Sequence, residues 1–165
     1  MKKILITGAA GFIGFHLSNL LLKKGFNIVG IDSIEESYGK AIKKQRIFSL
    51  NKNKNFKFYK SSINQIDKIK GKIDLIIHLA AEAGVRKSLL NPYFYIDQNI
   101  NQTIRVFEYA RKNKINKVFY ASSSSVYGNN NIYPSNEKMS ITKPLSIYGI
   151  TKIASENIAY YYKEI

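Results

Sequence analysis

The sequence predicts an α/β fold, a parallel sheet covered by helices on both faces. Three observations predict it. Short, almost wholly apolar runs alternate with stretches of helical periodicity, as strands buried on both faces require. A glycine-spaced loop, Thr7-Gly-Ala-Ala-Gly-Phe-Ile-Gly14, stands between the first run and the first helical stretch. The second apolar run ends on an acid, Asp32.

Taken in order, Lys3–Thr7 (KILIT) is a short apolar run ending at Gly8, a buried strand by length and flanks. Phe12 to Lys24 carries Ile13, Leu17, Leu20 and Leu21 at helical spacing, and Gly25 stops it. Asn27–Ile31 is a second strand and Phe56–Tyr59 a third, with one short helix expected around Gly39–Leu50 inside a long basic connection. Ile73–Leu79 reads as the fourth strand and Lys117–Ala121 as the fifth. Asn91-Pro92 marks a helix start, and Ile96, Ile100, Ile104 and Phe107 form a stripe running to Lys112. Ser146 to Lys163 is the last helix, with Ile147, Ile150, Ala154 and Ile158 on one side. No internal repeat or linker appears.

At 165 residues the chain fits one domain of roughly 100–200 residues. It has no cysteine, which excludes disulfides, thiolate metal sites and cysteine nucleophiles, and no metal site is expected. The apolar run after Met-Lys-Lys stops at Thr7-Gly8, too short for a signal peptide, and no transmembrane stretch follows. A cytoplasmic protein with no membrane partner is expected. The net charge is +15, densest between Lys40 and Lys72, where Asp67 is the sole acid. Such a run reads either as a nucleic-acid footprint or as a solvated basic face. No nucleic-acid-binding motif accompanies it, so no nucleic-acid partner is expected, and an anionic substrate benefits either way.

In the glycine loop, Gly8 permits the tight turn, Gly11 lets a pyrophosphate approach the backbone, and Gly14 lets helix and strand pack closely. Asp32 is placed to accept hydrogen bonds from an adenosine ribose, and no arginine follows it, which favours NAD over NADP. Asp32 can equally be an N-cap, with Ser33-Ile-Glu-Glu36 offering a capping box. The expected architecture is a Rossmann-type, doubly wound sheet of order 3-2-1-4-5.

Near the end, the chain reads YASSSSVYG (Tyr120–Gly128) and then Tyr148-Gly-Ile-Thr-Lys152. Tyr148 and Lys152 are four apart and share one helix face. A lysine cation beside a phenol stabilises the phenolate, which makes the tyrosine a proton carrier, and an upstream serine completes the set. His78, closing an apolar strand, reads as structural.

With the loop, Asp32, the serine run and YxxxK in order, the chain resembles the extended short-chain dehydrogenase/reductase family. His78–Pro92 (HLAAEAGVRKSLLNP) and Lys143–Lys152 (KPLSIYGITK) resemble the nucleotide-sugar 4-epimerases, most closely UDP-glucuronate 4-epimerases. The resemblance implies that Gly8, Gly11, Phe12, Ile13 and Gly14 line the pyrophosphate of NAD and that Asp32 holds the adenine ribose. Leu79, Ala80 and Ala81 would run beside the nicotinamide half, with Asn99 supporting the site. Tyr148 would be the base, Lys152 would bind the nicotinamide ribose, and the catalytic serine falls on Ser123, with Ser124 and Ser125 able to touch substrate. Strand-end capping is the plainer role of a serine run and is assigned to Ser122. Sugar 4,6-dehydratases place Thr-Asp-Glu here, and the missing acids disfavour dehydration. Arg86 would pair with the anionic sugar or its phosphate. One departure stands out: Ser61-Ser62-Ile63 replaces the family's Gly-Asp-Ile at the adenine, where Ser62 and Ile63 would lie. Ser62 can hydrogen-bond adenine or cap the helix that follows.

The implied reaction is epimerisation of a UDP-sugar at C4 through a 4-keto intermediate. Family members are about twice as long. Residues 1–165 are therefore read as an incomplete NAD-binding domain, cut before a sixth strand and without the substrate domain. A catalytically inactive nucleotide-binding module and another UDP-hexose 4-epimerase are the alternatives. By itself the chain is expected to bind NAD weakly and not to epimerise. The helices over 92–112 and 146–163 resemble the pair that builds the family's homodimer, and their stripes also have an intrachain explanation, since both must cover the sheet.

Overall fold

The computed structural model describes residues 2–129, 134–139 and 143–165. The described residues fall into two compact units. The first spans residues up to Ala80 together with Arg105–Tyr120, and the second spans Ala81–Ile104 and Ala121–Ile165.

The first unit is built on five parallel strands: β1 (Lys3–Thr7), β2 (Asn27–Asp32), β3 (Phe56–Lys60), β4 (Leu75–His78) and β5 (Val118–Tyr120). Their order is β3-β2-β1-β4-β5, as the sequence predicts. Ile4 sits opposite Ile28 on β2 and Leu75 on β4, so the central strands β1, β2 and β4 set apolar residues side by side. The pleat then divides the core in two. Ile4, Ile6, Ile28 and Phe56 face one side, where they pack with Leu22 of helix α1 (Phe12–Lys23) and with Ile47 and Leu50 of α2 (Lys40–Leu50). Leu5, Val29, Ile31 and Ile76 face the other, against Ile63, Ile66 and Ile69 and against Val106, Tyr109 and Ala110. Strands buried on both faces leave no polar alternation to read, which is why they appear in the sequence as solid apolar runs.

β4 is shorter than the predicted Ile73–Leu79. Just outside it, the Asp74 N–H donates to the Lys3 carbonyl at 2.9 Å while the Asp74 carboxylate accepts the Lys3 N–H at 2.8 Å, and the Leu79 N–H is shared between the carbonyl and the hydroxyl of Thr7 at 3.3 and 3.1 Å. β5 likewise loses Lys117 and Ala121.

The second unit holds α3 (Val85–Leu90), α4 (Pro92–Ile96), a π-helical turn (Asp97–Asn101), the first residues of α5 (Gln102–Lys112) and α6 (Ile147–Glu164). The sequence reading had no helix at α3 and a regular one from Pro92 to Lys112. The apolar stripes are also inverted relative to expectation. The buried side over 95–103 carries Tyr95, Asn99, Gln102 and Thr103, and that of α6 carries Gly149, Thr151, Lys152 and Ser155. Ile96, Ile104 and Ile150 are instead 40%, 37% and 46% exposed. Of the predicted stripe residues, Phe107 is buried, at 7%. Among the described residues no helix is long and apolar enough to cross a membrane.

Candidate active site

In the first unit, β1 delivers the chain into the glycine loop at Gly8, whose φ of +70° makes the turn. A Cβ at Gly8 would stand 2.8 Å from the Ala80 nitrogen, and one at Gly14 2.2 Å from the Gly8 carbonyl oxygen. The loop therefore lies directly on the end of β4, with α1 seated on the loop. Gly11 is the N-cap of α1 and supplies no side-chain acceptor, so the N–H groups of the first turn are left for an outside anion. Phe12 and Ile13, expected beside the pyrophosphate, are 67% and 62% exposed on that turn.

Asp32 ends β2 beneath this loop. Its Oδ2 accepts from Ala10 N–H at 3.1 Å and its Oδ1 from Ile34 N–H at 2.8 Å, which leaves each oxygen a lone pair for a ribose hydroxyl. The capping-box alternative does not form, because the next helix starts only at Lys40. Two cations of the basic run turn inward. Arg46 donates to the Ala10 carbonyl at 3.2 Å and lies 5.8 Å from the Phe12 ring centroid, and Lys43 donates to the Glu35 carbonyl at 3.0 Å.

Thr7, given no role of its own by the sequence reading, is the hub of this end of the sheet. Its Oγ1 accepts the N–H groups of Leu79 and Ala80, each at 3.1 Å, and lies 2.7 Å from Nδ1 of His78. With both lone pairs taken, the hydroxyl proton goes to Nδ1, so the neutral ring carries its proton on Nε2. His78 is 5% exposed and fixed in this bond, in keeping with a structural reading. Ser62 caps a 3₁₀ turn (Ile63–Lys68) by accepting from Asn64 N–H at 3.3 Å, and Ile63 is buried in the core. The Ser62 hydroxyl keeps its proton and one lone pair for an adenine.

In the second unit, α6 carries Tyr148 in its first turn and Lys152 one turn on. Lys152 is 6% exposed; its Nζ donates to the Ala121 carbonyl at 2.9 Å and sits 5.8 Å from the centroid of the Tyr148 ring. Burial pushes the Lys152 ammonium down to about 8 from its ordinary 10.5. Two residues past Ala121, Ser123 caps a 3₁₀ turn (Ser124–Tyr127): its hydroxyl accepts from Ser125 N–H and lies against the Ser125 hydroxyl, both at 3.2 Å. Capping therefore falls to Ser123 rather than to Ser122, whose hydroxyl instead donates to the Glu156 carboxylate. Ser124 is exposed and Ser125 half-buried. Asn99, at 2% exposure in the π-helical turn, accepts from Glu82 N–H at 2.8 Å and donates to the Glu82 carbonyl and the Thr151 hydroxyl, each at 3.0 Å. Arg86 is exposed on α3, and Ala81 is exposed before it.

The fold and the glycine loop define a dinucleotide-binding protein. The chain belongs to the NAD dependent epimerase/dehydratase family, whose model matches residues 4–164. It is 41% identical to Protein CapI of Staphylococcus aureus over 99% of this chain and 50% of that protein. It is 38% identical to the UDP-glucuronate 4-epimerase of Thermodesulfobacterium geofontis over 100% of this chain and 52% of that protein. The crystal structure of UDP-glucuronic acid 4-epimerase from Bacillus cereus in complex with UDP-glucuronic acid and NAD superposes with a TM-score of 0.87. It shares 36% identity, covering 98% of this chain and 52% of that one. The chain thus spans about half the length of the relatives it matches.

Proposed function

We propose that this chain carries the cofactor-binding and proton-transferring residues of a NAD-dependent UDP-sugar 4-epimerase, with UDP-glucuronate as the sugar nucleotide. The observation that carries this reading is the buried Lys152 held between the Ala121 carbonyl and the Tyr148 ring, two residues from the Ser123 hydroxyl. The residues present fit NAD. The uncapped first turn of α1 and the glycine cradle suit a pyrophosphate, and the remaining lone pairs of Asp32 suit the adenine ribose. Bound there, NAD supplies a reversible two-electron acceptor for the hydrogen on C4 of the sugar.

The chain's own groups manage the proton. Tyr148 takes it from the 4-hydroxyl, and the Lys152 charge stabilises the phenolate before the transfer. Ser123 donates a hydrogen bond to the same sugar oxygen as its charge changes, while Ser124 and Ser125 line the sugar. Lys152 keeps further N–H donors for the nicotinamide ribose. Arg86 pairs bidentately with the sugar carboxylate or a phosphate. The glucuronate assignment is supported by the AGVR segment (Ala83–Arg86) and by the names of the relatives reported above.

The test is Tyr148→Phe, assayed for interconversion of UDP-glucuronate and its C4 epimer in protein that shows turnover. Turnover is expected to fall by about 10²–10⁴-fold, the usual contribution of a positioned acid–base. NAD affinity, by calorimetry, is expected to stay near that of the parent. Parent-like turnover would refute the assignment.

We further propose a homodimer through 92–104 and α6. Half-exposed Ile96, Ile104 and Ile150 occupy helix faces whose opposite sides bury polar and small residues, so among the described residues the apolar stripe is only partly covered. Sedimentation should show a dimer that Ile150→Lys converts to monomer with its helical content intact. A monomeric parent at micromolar concentration would rule the arrangement out.

A further inference from the structure

The strongest unassigned feature is what holds Tyr148 in place. Helix α6 begins at Ile147, so the N–H groups of its first turn have no partner within the helix. Ser146, the N-cap, satisfies Gly149 N–H at 3.0 Å. The Tyr148 N–H is satisfied by a residue sixty positions earlier: it donates to the Ser88 hydroxyl at 3.1 Å. Ser88 in turn donates to the Val85 carbonyl at 2.6 Å, a bond within its own helix α3. It is 0% exposed, so no water can take either role.

The ring of Tyr148 has its own support. Tyr95, 2% exposed, meets it edge-on with centroids 6.5 Å apart and planes at 86°. The Tyr95 hydroxyl donates to the Ala83 carbonyl at 2.8 Å, in the loop that leads into α3. The two supports converge. Ser88 fixes the backbone of Tyr148, Tyr95 bounds its ring, and both are anchored to the same short segment, Ala83–Ser88.

We propose that Ser88, with Tyr95, is a positioning element for Tyr148: Ser88 acts as a tertiary cap that sets the start and rotation of α6, and so the place of the Tyr148 side chain beside Lys152. The Ala83–Leu90 segment then does two separate jobs. Exposed Arg86 faces outward, while buried Ser88 works on the proton carrier from behind. The catalytic importance of this placement rests on the function proposed above, but the placement itself does not.

The test uses the whole 165-residue chain, isotope-labelled, and reads amide hydrogen exchange and ring-to-ring cross-relaxation by NMR. In the unsubstituted chain the Tyr148 amide should exchange at least about tenfold more slowly than an unprotected amide, since its hydrogen bond must open first. Ser88→Ala should accelerate that amide about tenfold and weaken the Tyr95–Tyr148 ring contact, while the Gly149 amide, held by Ser146, changes far less. Ser88→Thr keeps the hydroxyl and should restore the parental pattern. Equal acceleration of Tyr148 and Gly149 would mean general loosening and would overturn the proposal. So would an unchanged Tyr148 amide in Ser88→Ala, or free exchange of that amide in the parent, which needs no folded variant to detect. A failure of Tyr148→Phe to lower turnover would sink the function while leaving these exchange results standing.

Discussion

Replacing Gly14 with alanine is expected to cost about 3 kcal/mol or more of folding stability, enough to unfold a marginal domain. Helix propensity argues the other way. Gly14 lies in the first turn of α1, and alanine is favoured over glycine inside a helix by roughly 1 kcal/mol. Sterics decide the sign. The added Cβ would sit 2.2 Å from the Gly8 carbonyl oxygen, 2.9 Å from its carbon and 3.0 Å from Ala9 Cα. All three are backbone atoms, so no side chain can swing aside. Relief requires lifting α1 off the loop, and the loop cannot follow, because the Gly8 N–H is bonded to the Ile31 carbonyl at 2.9 Å. Urea unfolding of the purified variant measures the loss. A midpoint equal to that of the parent would show that α1 does not seat on the loop in this way.

Lys152→Met is expected to stabilise the fold. The folded-state ammonium titrates near 8 instead of 10.5, because burial disfavours the charge. Between those two values the unfolded chain holds a proton that the folded chain has released, so stability rises with pH across that window. Below pH 8 both states are protonated and the native state carries the whole penalty, which the gap places at about 3 kcal/mol. Methionine fills a similar volume without the charge, and it gives up the bond to the Ala121 carbonyl, worth about 1–2 kcal/mol. At pH 7 the variant should therefore be more stable by about 1–2 kcal/mol. Its advantage should shrink above pH 8, pass through zero before 10.5 and reverse there, where the penalty is gone and the lost bond remains. Paired denaturation curves from pH 7 to 10.5 measure the difference. A gap that does not change with pH would show that Lys152 is not charged at the expense of stability.

The strands were legible because burial on both faces leaves apolar runs with no alternation to misread, and the order followed from the βαβ pattern. The glycine loop, Asp32 and the Tyr148–Lys152 spacing were legible because each is a local pattern. The faces of the later helices were not. Periodicity assigns isoleucines to the inside, yet Asn99, Thr103, Thr151 and Ser155 are the buried residues. Each has a specific partner: Asn99 bonds Glu82 and Thr151, Thr103 bonds the Asn99 carbonyl, and Ser155 bonds the Thr151 carbonyl. Asn99 and Thr151 stand 52 residues apart, and no window of sequence reveals that pairing. α3 escaped notice for a simpler reason: six residues between Gly84 and Asn91-Pro92 show no period. Thr7 was visible as a strand-end threonine, but its hydroxyl had a role only once β4 was known to lie beside β1.

Asn99 shows how a chain can be kept extended where no strand accompanies it. A primary amide offers the same two groups, one donor and one acceptor, that a peptide unit offers across a ladder. By taking the Glu82 N–H and meeting the Glu82 carbonyl, Asn99 plays one rung of a missing neighbour. An aspartate could accept but not donate, and would set two oxygens facing the carbonyl. A glutamine would overreach by a methylene. The π-helical turn that holds Asn99 can thus be understood as an anchorage for a surrogate peptide bond, one that occupies a single rung.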